Sequence, residues 1–522
     1  MAQRRTSVNR VLPVVFVLAL SAPAFGQAVD RQGAKQLSDD LAHYIGKKLF
    51  DIGFVKISVD GDAYKLAFDF KPVTDLMAKQ QAFKFDVTPY FVLAKPRKDG
   101  QWDVSVDVSP KGSIDFVGPE GPQHIDFSIS NNKFTAIYAP DLAAFVNASG
   151  STSGVTMSVK SPLQNVEASA DGGAGSMSAT KSANGGIDFA YSQTMTAFAE
   201  TVRLDDPKSG LKFSYNVKSP HAAVDASGKG LRTKPLLDLL AFIVATDDAA
   251  KFKADEAEFK SLLTAALPLW ERIDGTYGFK DFVVESPVGK FGATQLNTAV
   301  GMDGIAKDGK INYAFKVSGL TIPQQVLPSW SVALLPTDID LNFGGTNIDL
   351  DSMAKKTIET LDFSKDPPLP ADFGNQIFAD FLAKTPKAIL GHSTIKNGNI
   401  EIAMEGEMTF PGKKPEASMT IDVAGYDKIV EALQTAAKTE PEAAQYFPFA
   451  LAVKGFGKAL PDGRLEWVVN AKADGSVTVN GAMLKPADAV QDNPVMDPSE
   501  ATVPDHGSGE NDNGGAGAKL KP

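Results

Sequence analysis

Serine and lysine stand at spacings that nucleophilic chemistry could use. Ser178-Ala179-Thr180-Lys181 has the form SxxK, Ser182-Ala183-Asn184 the form SxN, and Lys208-Ser209-Gly210 approximates KTG. In enzymes built on that set, the serine attacks an acyl carbon after giving up its proton to a basic neighbour. The surroundings argue against it here. SxxK must open a helix, whereas this one lies in a Gly/Ser stretch with strand character, and all three pieces fall within positions 178–210, too close together for that fold. Gly391-His392-Ser393-Thr394-Ile395 comes nearest to a GxSxG elbow and lacks its second glycine.

Other chemistries find even less. The histidines are His43, His124, His221, His392 and His506; no two lie at metal-ligand spacing, no HExxH occurs, and each is expected on a surface or turn. Asp60-Gly61-Asp62 lacks the further oxygens of a calcium loop and reads as a hairpin turn. There is no GxxxxGK[ST], and no GxGxxG between a strand and a helix. Cysteine is absent, which excludes disulfides, thiolate metal sites and cysteine nucleophiles. The paired acids Asp39-Asp40, Asp205-Asp206 and Asp247-Asp248 are expected mostly at helix ends or loops, and a glycosidase pair is recognised by separation, not by sequence. No catalytic, cofactor-binding or metal-binding residue is assigned.

The termini say more. Met1 to Arg10 carries Arg4, Arg5 and Arg10 and no acid; Val11 to Ala22 is apolar apart from Pro13 and a serine; Ala24 and Gly26 are small and precede Gln27. This is the pattern of a cleavable export signal ending at Gly26, with an apolar run too short to cross a bilayer. Cleavage takes the net charge from −11 to −14. An acidic, cysteine-free exported chain suits a bacterial periplasm, and its charge argues against nucleic acid as a partner. Residues 486–522 are acidic and rich in Pro, Gly, Ser and Asn, and are expected to be a disordered tail.

The body must supply whatever positions a site. Asp-Gly or Asn-Gly recurs before alternating strands, at Asp60-Gly61, Asp99-Gly100, Asn184-Gly185, Asp308-Gly309, Asn397-Gly398 and Asp462-Gly463. Such pairs form tight hairpin turns, and a period of two puts apolar residues on one face. Helices are expected from Thr233, from Asp255 with Trp270 on its apolar face and a bend or end near Pro268, over Ser352–Leu361, over Asn375–Lys384 and over Tyr426–Lys438. The first is apolar nearly all round and is expected between layers. Strands running into helices are read at NIDL with DSMAKKTIETL and at KFTAIY with APDLAAFV. DGQWDVSVDVSPKGSIDF and DGRLEWVVNAKADGSVTV share a turn, a tryptophan and a closing Gly-Ser, consistent with internal duplication or with convergent hairpin composition.

The expected fold is α+β and mainly antiparallel: a long curved sheet of repeated hairpins with short amphipathic helices packed on one face. The expected divisions are a signal peptide (1–26), an N-terminal β-rich half (27–230), a helical joint (231–273), a C-terminal α+β half (274–485) and the tail (486–522). There are 32 Phe against 10 Tyr and 4 Trp. Such a surplus fills a core or lines a groove for acyl chains, and core is the default.

QLSDDLAHYIGKKLFDIGFVKISVDGDAYKLAFDF, GYDKIVEALQTAAK and DGRLEWVVNAKADGSVTVNGAMLKP together resemble an uncharacterised family of exported alphaproteobacterial proteins. The rhythm is also similar to the YdgA-like and AsmA-like envelope proteins, although the N-terminus here looks cleavable rather than anchoring. The resemblance implies an envelope role and, from the AsmA-like side, a lipid or other envelope component as partner. It carries over no site residue. The functional expectation is a non-enzymatic periplasmic envelope protein holding an apolar or lipid-like ligand, with no span of the membrane in the mature chain. The alternatives are an envelope glycan or lipid hydrolase, and a structural or protein–protein interaction module. An outer-membrane barrel is disfavoured by the interrupting helices and the polar C-terminus.

Overall fold

Among the described residues, the alternation of apolar and polar residues builds one antiparallel sheet of 22 strands. The computed structural model describes residues 29–488 apart from 79–82, 119–120, 207, 247, 399 and 412–413. Ala24, Gly26, Gln27 and residues 489–522 therefore lie outside the described residues. The first strands are short: β1 (Val55–Asp60), β2 (Ala63–Phe68), β3 (Phe83–Val87), β4 (Tyr90–Pro96), β5 (Trp102–Val108) and β6 (Lys111–Gly118). Five long ones follow: β7 (Gly121–Ala139), β8 (Ala144–Lys160), β9 (Gln164–Lys181), β10 (Ile187–Asp206) and β11 (Leu211–Leu231). The second half holds β12 (Arg272–Ser286), β13 (Gly289–Asp303), β14 (Gly309–Ser318), β15 (Asp338–Ile348), β16 (Lys387–Asn397), β17 (Ile400–Thr409) and β18 (Glu416–Ala424). It closes with β19 (Lys458–Ala459), β20 (Leu465–Ala471), β21 (Val477–Val479) and β22 (Ala482–Lys485).

Strands pair with their neighbours in the chain, so the sheet is an open, curved meander. Two strands are broken by proline. β3 and β4 are halves of one strand interrupted at Pro89, and β5 and β6 are halves of another interrupted at Pro110, since β3 pairs with β6, β4 with β5, and both β5 and β6 with β7. Proline has no N–H for the ladder. The sheet passes through the helical joint without a gap, because β11 pairs with β12.

All six Asp-Gly or Asn-Gly pairs lie between paired strands. Gly61 (φ 62°) and Gly185 (φ 93°) occupy the left-handed region that glycine enters without steric cost.

The helices are α1 (Arg31–Ile45), α2 (Lys47–Asp51), α3 (Lys71–Ala78), α4 (Thr233–Ala245), α5 (Ala249–Ala254), α6 (Glu256–Ala266), α7 (Leu350–Thr360), α8 (Phe373–Ala383), α9 (Tyr426–Ala436) and α10 (Pro441–Phe456). In α1, Ala34, Leu37, Leu41 and Tyr44 form one buried stripe, and the Asp30 carboxylate accepts the Gly33 N–H at 2.8 Å to cap its start. With Leu237 and Ala241 of α4, that stripe covers Tyr64, Leu66, Trp102, Val104 and Tyr138. At the other end of the sheet, α9 and α10 cover Val423, Trp467 and Val479.

Three readings need correction. No helix follows KFTAIY: only Pro140 to Ala143 separate β7 from β8, and Ala144 and Phe145 must pair with Ala139 and Tyr138. The helix from Asp255 stops at Ala266, because Leu267 precedes a proline and is extended, so Trp270 lies beyond it. The two tryptophan phrases also diverge: SPKGSIDF continues straight past Pro110, whereas NAKADGSVTV turns back at Gly475. α4 does lie between α1, against which Leu237 and Ala241 are buried, and the α5–α6 pair, against which Phe242 packs, but it is not covered all round, since Ile243 is exposed.

A crease crosses the long strands at one level. Gly154 (φ 58°) in β8, Ala197 (φ 52°) in β10 and Asp281 (φ 47°) in β12 are left-handed, and Ala197 lies opposite Pro220 in β11. The register is unbroken across this level, and the left-handed residues locally interrupt the side-chain alternation. Phe279 and Phe282, three apart, therefore share a face, with ring centroids 5.3 Å apart. Ser219, fully buried at the crease, has its hydroxyl 2.9 Å from the His221 carbonyl and 2.7 Å from the Lys280 carbonyl.

Candidate functional site

Directly paired residues in a sheet lie on the same face. One such row can be followed from strand to strand: Tyr64, Ala94, Val104, Ala136, Ala148, Met177, Tyr191, Ala226, Gly275, Val300, Tyr313, Phe343, Leu390, Gly406, Met419, Val469 and Val479. It runs from β2 to β21 without an ionisable side chain other than tyrosine. At ~4.8 Å per strand it is roughly 75 Å long along its curve. In β16 the extra residue at the Gly391-His392 bulge keeps Leu390 and Ile395 on this face.

Cover along the row is uneven. Its start lies under α1 and α4 and its end under α9 and α10. Between them Val300 (38%), Tyr313 (41%) and Phe343 (46%) stay exposed, as do the nearby Tyr277 and Ile311. Beside the covered start, a groove of about 300 Å³ opens over β8 and β9. Gly150 and Gly175, which pair directly, form its floor, and Phe134, Phe145, Met177 and Tyr191 stand around it. Glycine leaves the floor low. A Cβ on Gly175 would meet nothing closer than the Ser192 carbonyl at 3.3 Å, whereas one on Gly173 would stand 2.3 Å from the Thr194 carbonyl. Both glycines lie close to the neighbouring strand, Gly173 far more closely than Gly175.

The opposite face is polar. Arg272 donates to Asp274 at 2.6 Å, to Asp303 at 3.0 Å and to Asn312 at 2.6 Å, and the Asp274 carboxylate raises its pKa further above the ordinary range. His124 lies between two carboxylates: Nδ1 is 2.6 Å from Asp115 and Nε2 is 2.9 Å from Asp126. The Asp115 contact is the main cause of its raised pKa, partly offset by desolvation. This clasp was not evident in the sequence, although Asp115 and His124 face each other across one hairpin.

The residues singled out for chemistry are not brought together. Ser178 and Lys181 lie near one end of the 20-residue β10, and Lys208 and Ser209 lie at the other, roughly 65 Å away at ~3.3 Å per residue. Ser393 is fully buried; its hydroxyl accepts the Asn342 N–H at 2.9 Å and donates to the Gly391 carbonyl at 2.9 Å. It stitches a bulge and faces no solvent. His392 points instead to Glu405, 3.7 Å away. His43 packs on Tyr44, and Asp62 pairs with Lys95 at 2.5 Å. His221 is in β11 at the crease, and His506 is outside the described residues. Among the described residues no group of three His, Asp or Glu is placed to hold a metal ion, and no helix is long and apolar enough to cross a membrane.

No protein-family model, no curated protein and no solved structure matches this chain. The site is thus read from its own geometry. Phenylalanine serves two purposes in it. Phe242, Phe252, Phe259 and Phe363 form a ring-packed cluster at the helical joint, while Phe343, Phe378, Phe449 and Phe456 are exposed.

Proposed function

We propose that the protein is a non-enzymatic envelope protein of the periplasm that holds an apolar, lipid-like chain along the uncovered middle of its sheet. One observation carries this reading: the row of paired residues that crosses the sheet without a carboxylate or ammonium and is left open at Val300, Tyr313 and Phe343. Exposed apolar surface gathered in one stripe is costly to a solitary protein and marks a binding surface. The groove on the Gly150–Gly175 floor extends the same surface towards α1 and α4. The export pattern at the N-terminus supports the compartment.

The magnitude sets the experiment. Burying a methylene is worth ~0.8 kcal/mol, so a sixteen-carbon chain half-buried on the sheet gains ~6 kcal/mol, an affinity on the order of tens of micromolar. Titration with a fluorescent polyene fatty acid at that concentration is expected to give a saturable rise in emission. Tyr313→Asp places a charge in the row and is expected to abolish it. Equal emission from both proteins, or none from either, contradicts the reading.

A further inference from the structure

The surface that covers the far end of the row has an unusual composition. The connection from β14 to β15, Gly319 to Thr337, contains no Asp, Glu, Lys or Arg, and neither does Ala443 to Val453 within α10. In a chain with 22% charged residues, two such stretches are unexpected on an exposed surface. They are over a hundred positions apart, yet they meet. The Trp330 and Tyr446 rings are 5.7 Å apart, and the Ser329 hydroxyl donates to Glu440 at 2.5 Å. Their outward side is apolar: Val326, Tyr446, Leu451 and Phe456 are exposed, and Phe449 keeps 69% of its surface in water.

Beyond its first turn, where Glu442 and Gln445 are exposed, the outer face of α10 is apolar. Its inner side is committed to the sheet, since the Trp467 N–H donates to the Val453 carbonyl at 2.9 Å and the Asn480 amide donates to the Phe456 carbonyl at 2.8 Å. A helix fixed on one side and apolar on the other must face something apolar. Residues 489–522 offer little cover, with Val490, Val495, Met496, Val503 and Leu520 as their large apolar residues.

We propose that this edge, formed by α10 and the 319–337 connection, docks on the surface of a phospholipid bilayer. Exposed Phe, Leu and Val beside a Trp–Tyr pair match the apolar-and-amphipathic composition of interfacial membrane contacts. Its apolar stretches carry no charge, the charges beside them are Glu440 and Glu442 at the start of α10 and Lys454 near its end, and the full chain carries −11, so no cationic cluster is present to recognise an anionic headgroup. Docking is therefore driven by apolar area and does not need anionic lipid. The uncharged row ends beneath this edge, its last members Val469 and Val479 lying under α9 and α10.

Flotation of the full chain, recovered from the periplasm, with phosphatidylcholine vesicles tests this. Wild-type protein is expected to float with the vesicles, equally well in low and high salt, and without any gain from phosphatidylglycerol. Each loss of a buried Val or Phe weakens partition about tenfold or more, so the double variant Val326→Asp with Phe449→Asp is expected to stay at the bottom of the gradient. Phe378→Asp, exposed on α8 away from the patch, is expected to float normally; circular dichroism confirms that both variants fold. Failure of wild type to float, flotation that requires anionic lipid, or flotation of the double variant overturns the proposal. A wild-type dimer that the double variant dissociates, without flotation, assigns the patch to a second copy instead. The outcome is independent of the ligand reading: a chain that floats but takes up no fatty acid contradicts only the latter.

Discussion

Tyr313 and Phe343 are paired on adjacent strands, and each keeps about two-fifths or more of its surface in water. Cross-strand aromatic pairs on an apolar face gain most when something covers them. Phe343→Asp is expected to weaken fatty-acid binding by tenfold or more while changing stability by no more than about 0.5 kcal/mol, because the side chain is exposed in the free protein. Titration and chemical denaturation of the same sample separate the two effects.

The glycine floor gives a contrast within one strand. Gly175→Val raises the floor of the groove with a close contact to the Ser192 carbonyl that a small backbone shift relieves, and is expected to lower ligand affinity at a smaller stability cost than Gly173→Val. Gly173→Val drives its Cβ towards the Thr194 carbonyl and is expected to destabilise the sheet whatever the ligand. Thermal melts alongside binding curves distinguish them.

His124 titrates above the ordinary histidine range, chiefly through Asp115. A raised folded pKa means that its stabilising contribution is complete below the unfolded value of about 6.5 and is lost as pH rises through the folded value. Ring NMR of labelled histidine is expected to place its midpoint above those of ordinary histidines, and Asp115→Asn is expected to bring it down.

Ser393 is a structural serine. Ser393→Ala leaves the Asn342 N–H and the Gly391 carbonyl unpaired in a buried bulge, and is expected to cost about 1–3 kcal/mol in chemical denaturation. Fluorophosphonate probes, which label activated serines, are expected to leave it unmodified.

At the crease, Ala197 holds φ 52°, a region that costs an L-residue ~1–2 kcal/mol. Ala197→Gly is expected to raise stability by up to about 1 kcal/mol, since glycine also loses more entropy on folding. A lower melting point contradicts that assignment.

Much of the architecture was legible because hairpin chemistry is local. Asp60-Gly61 or Asn397-Gly398 announces a turn within a few residues, and the alternation beside it states which face is buried. The row from Tyr64 to Val479 was not legible, because its members are joined by register, and register depends on bulges such as Gly391-His392 that alternation hides. The short link after KFTAIY misled for a related reason: Asp141 to Val146 has helical composition, but pairing to Tyr138 and Ala139 overrides it. The Phe surplus could not be apportioned from counts, since Phe259 and Phe343 differ only in what the fold lays over them.

The most direct test of the central claim is native mass spectrometry of the protein purified from the periplasm, followed by organic extraction of whatever it carries. A copurifying lipid of defined mass, lost in Phe343→Asp, is the expected result. A clean apo mass that stays unchanged when fatty acid is added contradicts the claim.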